Sequence, residues 1–157
     1  MSNARQAVAQ ELGAAVQAYQ RCTDAFDDVV AAHLDLNRTD LRCLDWLSEG
    51  PRTIGSLAAA TGLSSAATTT LVDRLERKGF VQRVRDTGDR RRILVELTGQ
   101  AIERSGELYG PLVAEGSRMI ERYGEAELAL VRDYLRASIE LTDRHRRRIA
   151  ALPPVVA

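Results

Sequence analysis

Apolar side chains recur at helical spacing along most of the chain, and the breaks in that spacing mark out its elements. From Gln6 to Leu34, the residues Val8, Leu12, Val16, Tyr19, Phe26, Val30 and Leu34 fall mostly four apart with no proline between them, which predicts one long amphipathic helix. A helix of that length with a single apolar face needs another helix to cover it. Asp35 to Asn37 interrupts the pattern, Thr39 is placed to cap a second helix, and Leu41, Leu44 and Leu47 line one side of it before Gly50-Pro51 stops it. Arg52 to Ile54 suits a short strand. Ser56 to Thr61 forms a two-turn helix with Leu57 and Ala58 inward, and a turn through Gly62 leads straight to Ser64.

Ser64 can cap the next helix, since its hydroxyl accepts from an amide that has no partner in the first turn. That helix should reach about Lys78, with Gly79 as its stop. Thr68, Leu71, Val72 and Leu75 make its buried stripe, while Ser65, Ala66, Thr69, Thr70 and Asp73 face outward. Phe80 to Arg85 reads as a strand, Asp86 to Arg91 as a polar turn around Gly88, and Arg92 to Leu97 as the returning strand with Ile93, Val95 and Leu97 on one face.

The last third is helical again. Thr98 caps a helix carrying Ile102, Leu108, Leu112 and Met119, which Gly110-Pro111 should kink rather than end. After Tyr123-Gly124, a final helix repeats Leu128, Val131, Leu135, Ile139 and Thr142 in alternating steps of three and four, the signature of a helix-pairing seam. Four arginines and His145 between Asp143 and Arg148 suit the negative end of that helix, and a frayed tail follows Pro153-Pro154. The fold class is therefore mainly α with one small β-hairpin.

Composition narrows the picture. An apolar share of 45% over 157 residues is enough for one domain with helical extensions. Cys22 and Cys43 make no disulfide framework, and no leader-like segment or membrane-length apolar run occurs, so a cytoplasmic protein with no membrane partner is expected. The zero net charge conceals an asymmetry. Residues 1–50 hold four basic against eight acidic side chains, residues 51–98 nine against five, and residues 99–157 nine against nine. The positive excess lies on the central helix and hairpin, where it would favour a polyanion.

Leu57-Ala58, Gly62-Leu63-Ser64, Leu71-Val72-Asp73-Arg74-Leu75-Glu76, Lys78-Gly79-Phe80-Val81 and above all "DTGDRRRILVELT" from Asp86 to Thr98 resemble the MarR family of bacterial transcriptional regulators. The resemblance runs from about residue 5 to 148. It implies a winged helix-turn-helix over residues 37–98 and a helical dimerisation region from residues 1–36 and 99–157. It also implies a homodimeric repressor on a near-palindromic double-stranded DNA operator, released by an aromatic or phenolic small molecule or by an oxidant.

On that reading Ser64, Ser65, Ala66, Thr69 and Thr70 belong to the recognition helix, whose hydroxyls and methyls can meet base edges in a major groove. None of them is Arg, Asn or Gln, so specificity leans on fit and on DNA shape. In the hairpin, Asp89 and Arg91 match the family's Asp-x-Arg, which implies an arginine entering the minor groove and an aspartate bracing it. Arg74 and Arg77, with Arg52 and Arg90, are candidate phosphate contacts; the alternative for Arg74 and Arg77 is pairing with Asp73, Glu76 or other acids on a solvated face. Arg144 to Arg148 reads as a solvated helix end.

Two effector sites are implied by the resemblance. A ligand crevice would draw on Tyr19, His33, Arg42 and Trp46, each of which is also an ordinary packing or surface residue. A thiol-based sensor would use Cys22, beside Arg21, while Cys43 reads as packing. No nucleotide loop, no HExxH and no cysteine cluster with metal spacing is present, so no catalytic residue, metal or cofactor is expected. A winged-helix module used only for protein contacts is the remaining alternative, against which the basic hairpin argues.

Overall fold

The computed structural model describes residues 3–153. The tail expected beyond Pro153 lies outside the described residues. The elements run α1 (Asn3–His33), α2 (Arg38–Ser48), α3 (Ile54–Thr61), α4 (Ser65–Arg77), β1 (Val81–Arg85), β2 (Ile93–Leu97), α5 (Gly99–Ile120) and α6 (Glu125–Ala150). They fall into two compact units that divide in the sequence between Leu108 and Tyr109.

The first unit is built on one apolar cluster. Leu36, Cys43, Leu44 and Leu47 meet Leu57 of α3, Leu71, Val72 and Leu75 of α4, and Phe80, Val81, Val95 and Ala101. With lengths of 11, 8 and 13 residues, α2, α3 and α4 are too short to persist alone. Each is held by the face it buries. The stripe expected on α4 is the buried one: Thr68, Val72 and Leu75 are 0% exposed and Leu71 is 3% exposed.

Helix ends are set by short polar residues. Asn37, not Thr39, caps α2: its side chain accepts from the Asp40 N–H at 2.9 Å, and the Asp40 carboxylate accepts from the Asn37 N–H at 3.2 Å. This reciprocal pair moves the start of α2 two residues upstream and leaves Thr39 inside the first turn. Thr53 caps α3 through the Ser56 N–H. Because Ile54 is already helical, the strand expected at Arg52–Ile54 shrinks to a single bridge, with Arg52 and Val95 exchanging backbone bonds of 2.9 and 2.7 Å. Gly62, at φ 76°, makes the left-handed turn from α3 toward α4, and the Ser64 hydroxyl then accepts from the Ala67 N–H at 3.2 Å.

The strands β1 and β2 pair antiparallel from Val81 opposite Leu97 to Arg85 opposite Ile93. Of the three apolar residues expected inward on β2, Val95 is fully buried and Leu97 half-buried, but Ile93 is 46% exposed. It lies at the outer end of the ribbon, beyond the core cluster. Thr98 ties the hairpin base to α5, donating to the Gly79 carbonyl at 2.7 Å and accepting from the Ala101 N–H at 3.1 Å.

The helix α5 runs unbroken through Pro111. In the second unit Glu127 accepts from the Gly124 N–H at 2.7 Å to start α6, which has no buried residue. Leu128, Val131, Leu135 and Ile139, the expected seam, are all exposed, as are Leu112, Val113, Met119 and Ile120 of α5. At the end of α6, Asp143 pairs with Arg146 and Arg147.

Candidate nucleic-acid interface

Ser64, Ser65, Ala66, Thr69 and Thr70 all lie exposed at the start of α4 and along its outer face. Two of the hydroxyls turn back on the helix: Thr69 donates to the Ser65 carbonyl at 2.9 Å and Thr70 to the Ala66 carbonyl at 3.2 Å. In this rotamer the proton is used internally, so the face offers acceptor lone pairs and methyl groups. Such a surface suits amino groups of adenine or cytosine and the methyl of thymine.

The arginines of this segment divide into two sets. Arg74 and Arg52, expected to reach phosphates, have partners within the fold. Arg74 pairs with the buried Asp40, and not with Asp73 or Glu76. Arg52 pairs with Glu49, donates from Nε to the Trp46 carbonyl at 2.9 Å, and lies over the Trp46 ring at 5.3 Å from its centroid. Asp73 and Glu76 are instead taken by Arg83 of β1, which donates to Asp73 at 2.5 Å and also to Glu76. These contacts raise the affinity of Arg83 for its proton, the bond to Asp73 most of all.

The second set is exposed. Arg77 holds only the Asp73 carbonyl, through Nε at 3.3 Å, while Arg85, Arg90 and Arg91 have no ion pair among the described residues. Arg85 escaped notice in the sequence, although its place in a strand ending at the basic turn was a usable signal. The wing turn is shaped by its aspartates: Asp86 accepts from the Gly88 N–H at 2.8 Å and Asp89 from the Arg91 N–H at 3.0 Å. Asp89 therefore braces the main chain at Arg91 rather than its guanidinium, which is exposed.

The four residues proposed for a ligand crevice lie on α1 and α2. Tyr19 is 70% exposed on α1, His33 and Arg42 are exposed, and Trp46 is half-buried against the core under Arg52. A recess of about 490 Å³ occurs elsewhere, between the start of α2 and α4, lined by Asn37, Thr39, Leu63, Ala67, Thr70 and Arg74 among others. Cys22 is exposed on α1. Cys43 is fully buried, and burial, with some help from Asp40, pushes its thiol up to about 11. No cluster of His, Cys, Asp or Glu able to hold a metal occurs among the described residues. No helix among them is long and apolar enough to cross a membrane.

Helix, glycine turn, exposed second helix and basic hairpin together define a winged helix-turn-helix. The model of the MarR family matches residues 34–92. The chain is 34% identical over 139 residues to the uncharacterized HTH-type transcriptional regulator YcgE of Bacillus subtilis, covering 86% of this chain and 90% of that one. Among solved structures it is similar to the transcriptional regulator BldR from Sulfolobus solfataricus, at 26% identity over 92% of this chain and 99% of that one, with a TM-score of 0.54. NadR, solved in complex with 4-hydroxyphenylacetate, shares the fold at 22% identity over 79% of this chain and 88% of that one, with a TM-score of 0.58. The chain belongs to the MarR family of transcriptional regulators, DNA-binding proteins and not enzymes.

Proposed function

We propose that this chain is a homodimeric repressor that reads a near-palindromic operator with α4 in the major groove and the wing in the adjacent minor groove. The observation that carries the reading is a division of labour within residues 51–98. Arg52, Arg74 and Arg83 are spent on carboxylates of the fold, whereas Arg77 on α4 and Arg85, Arg90 and Arg91 on the hairpin stand exposed, as do Ser65, Thr69 and Thr70. Arg91 enters the minor groove and reads its width, Arg77, Arg85 and Arg90 meet phosphates, and the hydroxyl and methyl face reads bases by fit.

Dimerisation is supported by the apolar residues that α6 leaves exposed, which a second copy would cover. Two α4 helices then meet half-sites about one duplex turn apart. Release by a small phenolic or aromatic molecule is supported by the NadR complex with 4-hydroxyphenylacetate, a neighbour in fold. Cys22, exposed on α1, is the corresponding residue for the thiol-responsive alternative.

The test is a fluorescence-anisotropy titration against a random duplex pool at two salt concentrations, followed by sequencing of the bound fraction. An inverted repeat is expected, with a steep salt slope and binding weakened about tenfold by Arg91→Ala. Binding that ignores both salt and Arg91→Ala would move the function to protein contacts.

A further inference from the structure

We infer that Arg83 sets the bearing of the wing on the recognition helix, so that Arg91 engages DNA only while Arg83 clamps Asp73 and Glu76; this rests on the DNA-binding reading above. The clamp joins two elements that enter different grooves. Arg83 sits on β1, and its two terminal nitrogens donate separately, Nη2 to Asp73 and Nη1 to Glu76. Those carboxylates lie three residues apart on α4, hence on neighbouring turns of one face. A planar fork holding both fixes an angle as well as a distance.

Its place along the ribbon gives the clamp leverage. Arg83 is paired in register with Val95, which is fully buried and also carries the backbone bridge to Arg52. The next pair outward, Val84 and Leu94, is half-buried, and the last, Arg85 and Ile93, is exposed. A two-stranded ribbon has little stiffness of its own. Its direction is therefore set where it is tied, and Arg83, level with the Arg52–Val95 bridge, is the side-chain tie to α4 below the turn that carries Arg90 and Arg91. Two carboxylates already neutralise Arg83, so its charge is not what the DNA would meet.

A positioning role and a phosphate contact respond differently to Arg83→Lys, which keeps the charge and loses the fork. The experiment is a cycle of the full-length wild type, Arg83→Lys, Arg91→Ala and the double variant, titrated with the selected inverted repeat and with a random duplex. Arg83→Lys should weaken binding to the repeat about fivefold and change random-duplex binding less than about twofold. In the Arg91→Ala background the same substitution should cost less than about twofold, since the wing arginine it positions is gone. The other side of the clamp gives a second route: in Asp73→Asn/Glu76→Gln, the effect of Arg91→Ala should fall to less than about twofold. Wild-type affinity in Arg83→Lys, or losses that multiply in the double variant, would overturn the inference while leaving the DNA reading intact. Absence of wild-type binding to any selected duplex would overturn that reading, and this one with it.

Discussion

Asp40 of α2 and Arg74 of α4 are joined across the winged unit, with Arg74 Nη2 donating to Asp40 Oδ1 while Asp40 Oδ2 accepts from the Asn37 N–H at 3.2 Å. One carboxylate, 1% exposed, thus finishes the start of α2 and holds the helix that faces DNA. The fit is incomplete, because Arg74 Nε is buried with no hydrogen-bond partner among the described residues.

Removing one member of such a pair leaves the other charge, here the half-buried Arg74, without its partner. Asp40→Ala should therefore destabilise the fold by about 3 kcal/mol, lowering Tm by roughly 10 °C. Asp40→Asn keeps one acceptor oxygen, for Arg74 or for the Asn37 N–H but not for both, and should lose less. Thermal denaturation followed by circular dichroism checks both; equal losses would mean that charge, not the hydrogen bonds, is what α2 and α4 share.

The two thiols should differ in reactivity. With its pKa near 11 and no exposure, Cys43 carries almost no thiolate at pH 8, whereas Cys22 is exposed. A thiol reagent on native protein should label Cys22 quickly and Cys43 only after denaturant is added. Peptide mapping of the labelled chain gives the answer, and early labelling of Cys43 would contradict its burial.

Asp45 supplies a pH dependence of unusual sign. Partial burial first, then Glu49 and Asp27, raise its pKa in the fold above the ordinary 3.8. An acid with a raised folded pKa favours the folded state in its protonated form, so its ionisation opposes folding above the folded pKa and ceases to matter below 3.8. Asp45→Asn should stabilise the protein at pH 7, by no more than roughly 0.5 kcal/mol given its exposure. The gain should vanish on approach to the ordinary carboxylate pKa. Urea titrations at pH 7 and pH 4 measure the difference.

The exposed face of α6 should be an association surface. Leu135 and Ile139 are 48% and 67% exposed within the single chain. Leu135→Glu should give a folded monomer at micromolar concentration where the wild type sediments as a dimer. A monomeric wild type would sink the operator symmetry argued above.

Several local patterns were legible in the sequence. The α4 stripe, the Ser64 cap and the Gly62 and Gly79 turns each depend on neighbours within four residues, and all of them stand. The partner of Arg74 was illegible for the opposite reason. Asp73 and Glu76 flank it in sequence, but residues one or two apart on a helix face different ways, and the true partner lies 34 positions back. The α2 cap was missed although it is local: Asn37 and Asp40 stand three residues apart and bond reciprocally, which makes Asn37 a better start than Thr39. Ile93 obeys strand alternation, yet alternation cannot say where a core ends.

Trp46 is the only tryptophan in the chain, and its ring is covered by Arg52, whose backbone is bonded to Val95 at the base of the wing. The protein therefore carries its own optical gauge at that junction. Light emitted by the indole reports whether the ribbon is seated, without a label, and is blind to the turn at its far end. A base that glows differently only when α2 and β2 part company would let seating and groove entry be timed separately.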